Sequence, residues 1–192
     1  LRAPPRSTPL PCPTLSPSGP NFEAGGRENA MQRVVRLAGY FANAGPEWRE
    51  RTPSYAAPVT THVFLLGFPR SGTTLLERAM DAHPQIEAMP ERDSLSDAIA
   101  DLTGSPEALQ RLSTLQGGDL ARYRKAYWDR VRENWRAPSQ GVFVDKMPLN
   151  TIWLCLIGKL FPDAKILFAI RDPRDVVLSC FRRRFGVTAE TY

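Results

Sequence analysis

The chain has 192 residues, a formal charge of +5 and 42% hydrophobic residues, enough for one α/β domain with flanking segments and a sizeable core. No Lys/Arg tract interleaves with aromatics, which counts against nucleic-acid binding. The longest apolar stretch, Ile152 to Gly158, falls far short of the ~20 residues of a membrane span. The three cysteines (Cys12, Cys155, Cys180) are odd in number and lack metal-ligand spacing, so free thiols in a reducing, cytoplasmic setting are expected.

Residues 1–26 are rich in proline, with Ser, Thr and Gly between, and are expected to be disordered. From Met31 through Val34, Val35, Ala38 and Phe41 the apolar spacing predicts one short amphipathic helix over 28–43. Pro46, Pro53 and Pro58 then mark an irregular connector. A strand at 62–66 leads through a glycine-bounded loop to a helix at about 73–82, which stops near His83-Pro84. Helices are predicted at roughly 93–102, 106–115 and 119–135, followed by a strand at 142–144 and a helix at about 149–160. A last strand, 165–170, runs into a final helix to about 185. This alternation implies right-handed crossovers and a parallel sheet, on which ligands bind at the carboxyl ends of the strands. The polar clusters 67–74, 145–146 and 171–175 all fall at that end.

The first cluster, Gly67-Phe-Pro-Arg-Ser-Gly-Thr-Thr74, stands between a strand and a helix N-terminus, where backbone N–H groups and the helix dipole converge on an anion. Its Gly67-x4-Gly72 spacing is that of a phosphate-binding P-loop. Thr73 occupies the slot of the P-loop lysine, with Thr74 in the Ser/Thr slot. The lysine that serves the β/γ-phosphates in nucleoside-triphosphate chemistry is missing, and Arg70 is the available cation. In the third cluster Asp172 suits a helix N-cap, Pro173 the first helical position and Asp175 a place three residues past the cap. Arg171 stands at the strand end beside the expected anion. Ser179, two turns on, could add a hydroxyl to a second phosphate grip.

Together, Pro69-Arg70-Ser71-Gly72-Thr73-Thr74, Asp145-Lys146-x-Pro148, and Arg171-Asp-Pro-Arg with Ser179 resemble the sulfotransferases that use 3′-phosphoadenosine-5′-phosphosulfate (PAPS). The likeness is greatest to the tyrosylprotein branch and its relatives carrying tetratricopeptide repeats. The stretch Arg70-Ser-Gly-Thr-Thr-Leu-Leu-Glu-Arg-Ala-Met-Asp-Ala-His-Pro84 looks much like that branch. The resemblance covers about 62–185.

It implies a three-layer P-loop-type α/β fold with the C-terminal part missing, since the chain starts at Leu1 and stops at Tyr192. The implied division is 1–26 disordered, 27–60 helix and connector, and 61–192 the N-terminal portion of a sulfotransferase domain. Apolar surface would then remain open at the sheet edge. Arg70, Ser71, Gly72, Thr73 and Thr74 match the loop for the 5′-phosphosulfate, and Arg171 and Ser179 the 3′-phosphate site, with Arg183 assisting. Arg183 also reads as part of a solvated basic helix end. Glu91 falls where the tyrosylprotein branch carries its general base, although Pro90 replaces the first of two acids in the family pattern. Lys146 matches the catalytic lysine, and with Arg70 would stabilise developing charge. His83, at a helix end before a proline, reads as structural.

The resemblance thus implies sulfuryl transfer from PAPS, without a metal, to a hydroxyl acceptor: protein tyrosine, carbohydrate or small molecule. Two other readings stay open, a divergent P-loop kinase and an incomplete non-catalytic nucleotide-binding fragment.

Overall fold

Four short strands form one parallel sheet: β1 (Thr61–Gly67), β2 (Ile86–Met89), β3 (Val142–Lys146) and β4 (Lys165–Ala169), in the order β2-β3-β1-β4. The computed structural model describes residues 28–135 and 141–182. The expectations for segment 1–26, Cys12 and Arg183 lie outside the described residues. The central strand β1 is buried from His62 onward, as a strand covered on both faces must be. Its partners place Leu65 opposite Lys146 on one side and Gly67 opposite Ala169 on the other. The ends of β1, β3 and β4 therefore lie side by side.

Strand β2 is the element that periodicity does not announce. It has four residues and contains Glu87, too short and too polar to read as a buried strand. Its order comes from pairing, since Ala88 lies opposite Val144 and Met89 opposite Asp145.

The helices are α1 (Ala30–Ala42), α2 (Thr73–Asp81), α3 (Ser96–Leu102), α4 (Pro106–Ser113), α5 (Gly117–Asn134), α6 (Leu154–Leu160) and α7 (Pro173–Arg182). The helix expected over 149–160 divides into a 3-10 segment, Pro148–Trp153, and α6. The Thr151 hydroxyl accepts the Gly67 N–H at 3.1 Å and donates to the Pro148 carbonyl at 2.7 Å. A segment tied sideways to β1 follows the tighter turn.

Alternation along the strands sorts the core. Phe64, Leu66 and Phe143 point into the larger cluster with Tyr127, Leu156 and Phe161. Val63, Leu65 and Val144 point the opposite way, toward Met80 of α2. Helix α1 begins with a capping box: Gln32 N–H donates to Asn29 Oδ1 at 2.9 Å, and Asn29 N–H to Gln32 Oε1 at 2.7 Å. Two cations pin the connector after α1. Arg124 donates to the carbonyls of Leu160 and Pro53, and Lys159 to those of Glu47 and Glu50. Carbonyls of an irregular segment have no ladder partner and take such donors.

Along β4, Ile166, Leu167 and Phe168 are all exposed, so this edge carries open apolar surface. No helix among the described residues is long and apolar enough to cross a membrane.

Candidate functional site

The loop between β1 and α2 is shaped by the backbone at Gly67, Arg70 and Gly72. A Cβ on Gly67 would come within 2.8 Å of the Ala169 carbonyl, so only glycine lets β1 and β4 close at this point. Arg70 adopts φ 72° and Gly72 φ 95°, both left-handed. Glycine takes this conformation freely, whereas a non-glycine residue held there costs on the order of 1–3 kcal/mol. The turn is closed by Ser71 N–H donating to the Phe68 carbonyl at 3.1 Å, and α2 starts with Leu75 and Leu76 N–H on the Gly72 carbonyl. The N–H groups of Thr73 and Thr74 open the helix, have no intrahelical acceptor, and add to the positive end of its dipole. This is the cradle that the spacing predicts.

At the end of β3, Lys146 is buried between two carboxylates. Its Nζ lies 2.8 Å from Glu91 Oε1 and 2.9 Å from Glu77 Oε2. Glu91 is 54% exposed and Glu77 14%. The chain's expected base and expected catalytic ammonium are thus in direct contact. Glu77 went unnoticed in the sequence because the apolar spacing of α2 draws attention to Leu75, Leu76, Ala79 and Met80. In the fold Leu75 is 74% exposed, and the inward stripe is Thr73, Glu77 and Met80, at the i, i+4, i+7 spacing of one helix face.

Asp145, the neighbour of Lys146, points to the opposite face. Its Oδ2 accepts the Tyr127 hydroxyl at 2.8 Å, and that hydroxyl lies 2.9 Å from His62 Nε2. Burial pushes the Asp145 carboxyl up from 3.8 to about 7 and the His62 imidazole down from 6.5 to about 3. Between 3.8 and about 7 the folded Asp145 holds a proton that the unfolded one has lost. Its contribution to stability therefore falls as pH rises through that window. His62 acts with the opposite sign between about 3 and 6.5. Asp145→Asn keeps an acceptor for Tyr127 and removes only the falling part. Urea midpoints across that range should show the variant gaining on the parent as pH rises. A constant difference would mean that Asp145 does not titrate there.

The third tip follows β4. Asp172 Oδ1 accepts the Arg174 N–H at 2.9 Å, the N-cap role expected of it. Asp175 instead faces Arg171, with Nη2 to Oδ2 at 3.6 Å. Arg171 Nη1 donates to the Arg70 carbonyl at 3.4 Å, and Arg70 Nε to Ser179 Oγ at 3.0 Å. Arg70, Arg171 and Ser179 therefore form one cluster across the ends of β1 and β4. The Arg70 side chain is turned toward Ser179. Elsewhere His83 Nδ1 accepts the Gln85 N–H, a local structural contact. Cys155 is a free thiol whose burial pushes it up to about 11.

A cavity of about 530 Å³ opens over these tips, lined by Arg70, Gly72, Thr73, Thr74, Glu91 and Arg171, among others. Residues of the first and third clusters thus line one cavity with Glu91, which Lys146 contacts, whereas Ser71, Ser179 and Asp145 are not among its lining residues. Residues 62–192 match the family model described as "Sulfotransferase family".

The chain belongs to the sulfotransferase family. The resemblance drawn from its motifs is borne out by its relatives. This sulfotransferase-family chain is 30% identical over 132 residues to protein-tyrosine sulfotransferase 1 of Homo sapiens, covering 65% of this chain and 35% of that one. It is 23% identical over 193 residues to the protein-tyrosine sulfotransferase of Drosophila melanogaster, covering 87% and 33%. It is also 30% identical over 152 residues to an uncharacterized protein of Aquifex aeolicus, covering 73% and 19%. The chain therefore spans well under half the length of each of these relatives. Among solved structures, a sulfotransferase from Mycobacterium avium matches with a TM-score of 0.39 at 16% identity, over 80% of this chain and 52% of that one.

Proposed function

We propose that this site transfers a sulfuryl group from PAPS to a hydroxyl acceptor, with a protein tyrosine as the favoured acceptor class. The observation that carries the reading is the shared cavity, which brings a phosphate-type loop, Glu91 and Arg171 together at adjacent strand ends. In this reading residues 61–192 are the N-terminal portion of the sulfotransferase domain, preceded by the helix and connector of 27–60. Ser71, the backbone N–H groups of Gly72 to Thr74, and Arg70 hold the 5′-phosphosulfate. Arg171 and Ser179 hold the 3′-phosphate, with Arg183 assisting.

The acceptor oxygen forms a bond to sulfur while the bond from sulfur to the bridging phosphate oxygen breaks. Glu91 takes the acceptor's proton, and Lys146 neutralises the charge that builds on the departing phosphate. Charge stabilisation falls to side chains and backbone donors, not to a bound metal. Lys146 is in contact with Glu91, so the two must separate before either acts.

Radiolabelled PAPS supplied to the full-length protein should label tyrosine peptides without added Mg²⁺. Label left on the donor, with phosphate moved from ATP instead, would overturn the reading. Arg171→Ala should weaken 3′-phosphoadenosine-5′-phosphate about tenfold or more, the scale of a lost charge-assisted hydrogen bond. Adenosine-5′-phosphosulfate, lacking the 3′-phosphate, should bind the variant as it binds the parent. Equal losses on both ligands would remove Arg171 from the 3′-phosphate site.

A further inference from the structure

We propose that Glu77 is a positioning residue for the transfer. It is the fixed anchor that keeps the Lys146 ammonium in place when Glu91 leaves it for the acceptor's proton. This rests on the proposed function and adds a residue to it.

One ammonium stands against two carboxylates, at 2.8 and 2.9 Å, and the two differ in what holds them. Glu91 lies in the segment between β2 and α3, is half exposed and lines the cavity. Glu77 sits on α2, one turn past Thr73, on the stripe that ends at the core residue Met80. It is largely buried, and its Oε2 has no hydrogen-bond partner. The ion pair with Lys146 is what offsets the burial of that oxygen. Arg70 and Arg171 also line the cavity, Arg92 and Asp93 follow Glu91, Arg78 and Asp81 share α2 with Glu77, and Asp145 faces the opposite side of the sheet toward Tyr127.

A general base that is ion-paired to the group meant to stabilise the leaving phosphate is neutralised, and so is its partner. Without Glu77, release of Glu91 would leave a buried ammonium with no partner to hold it, which is costly. Glu77 removes that difficulty, because Lys146 keeps one carboxylate throughout. The same helix that opens the phosphate loop carries Glu77, so donor loop and ammonium are held as one rigid unit.

The test uses the full-length protein with ¹³C-labelled lysine, the Lys146 signal being assigned by its loss in Lys146→Met. Glu77→Gln should move the Lys146 Cε signal from its position in the parent at fixed pH, and Glu91→Gln should move it less. Turnover in Glu77→Gln should fall about tenfold, on the scale of one lost charge-assisted contact that positions a catalytic group, with the acceptor KM unchanged. Glu77→Asp should recover part of the loss. A Lys146 signal identical in parent and Glu77→Gln, in variants that still melt cooperatively, would overturn the proposal. A shifted signal in a protein that fails to bind 3′-phosphoadenosine-5′-phosphate would uphold the clamp and remove the sulfotransfer reading instead.

Discussion

Lys146→Met should lower turnover by roughly 10²–10³-fold, the loss expected when one preorganised charge facing a developing anion is removed. It should also destabilise the fold by about 3 kcal/mol, because a buried carboxylate is left without its partner. The two effects are separable through Glu77, whose Oε2 is buried against the ammonium. Adding Glu77→Gln to Lys146→Met neutralises the orphaned charge, so the double variant should regain much of the lost stability while its turnover stays low. Chemical denaturation and steady-state rates on the three proteins decide the matter. Recovery of activity along with stability would mean that Lys146 serves the fold and not the reaction.

Glu91→Gln should reduce turnover by roughly 10²–10⁴-fold, the range for a lost general base. Its expected signature differs from that of Lys146→Met. Glu91 is half exposed and Lys146 retains Glu77, so the melting temperature should hardly change and affinity for 3′-phosphoadenosine-5′-phosphate should stay close to the parent's. Turnover within a fewfold of the parent would take Glu91 out of the mechanism. Pro90, which replaces the first of two acids in the family pattern, makes this experiment the more informative, since no adjacent carboxylate can substitute.

How much of this was legible in the sequence follows from which signals are local. The loop from Gly67 to Thr74 is a short-range motif, and the helix predicted after it starts at Thr73. The Asp172 cap is equally local, because its acceptor and donor lie two residues apart. Strands β1, β3 and β4 show as apolar runs. Strand β2 does not, since its four residues with one glutamate are ordered by pairing to β3 rather than by their own pattern.

The contacts that shape the site chemically are long-range and carry no periodic signal. Glu77 and Glu91 reach Lys146 from two other elements, and Arg70 reaches Ser179 across 109 positions. The buried chain from His62 through Tyr127 to Asp145 spans three elements and reads in sequence as unrelated polar residues in apolar surroundings. Helix α2 misleads for a physical reason. Its leucines are exposed and its inward face carries a threonine and a glutamate, because that face serves the site as well as the core.

The proposed chemistry requires one nucleotide held at both ends by neighbouring strand tips. Calorimetry of the intact protein with 3′-phosphoadenosine-5′-phosphate, with ADP, and with ATP plus Mg²⁺ tests this most directly. The bisphosphate should bind at least about tenfold more tightly than either of the others, a difference of about 1.4 kcal/mol, and Mg²⁺ should not change the order. Tightest binding by ATP with Mg²⁺, or equal binding of the bisphosphate and ADP, would contradict it.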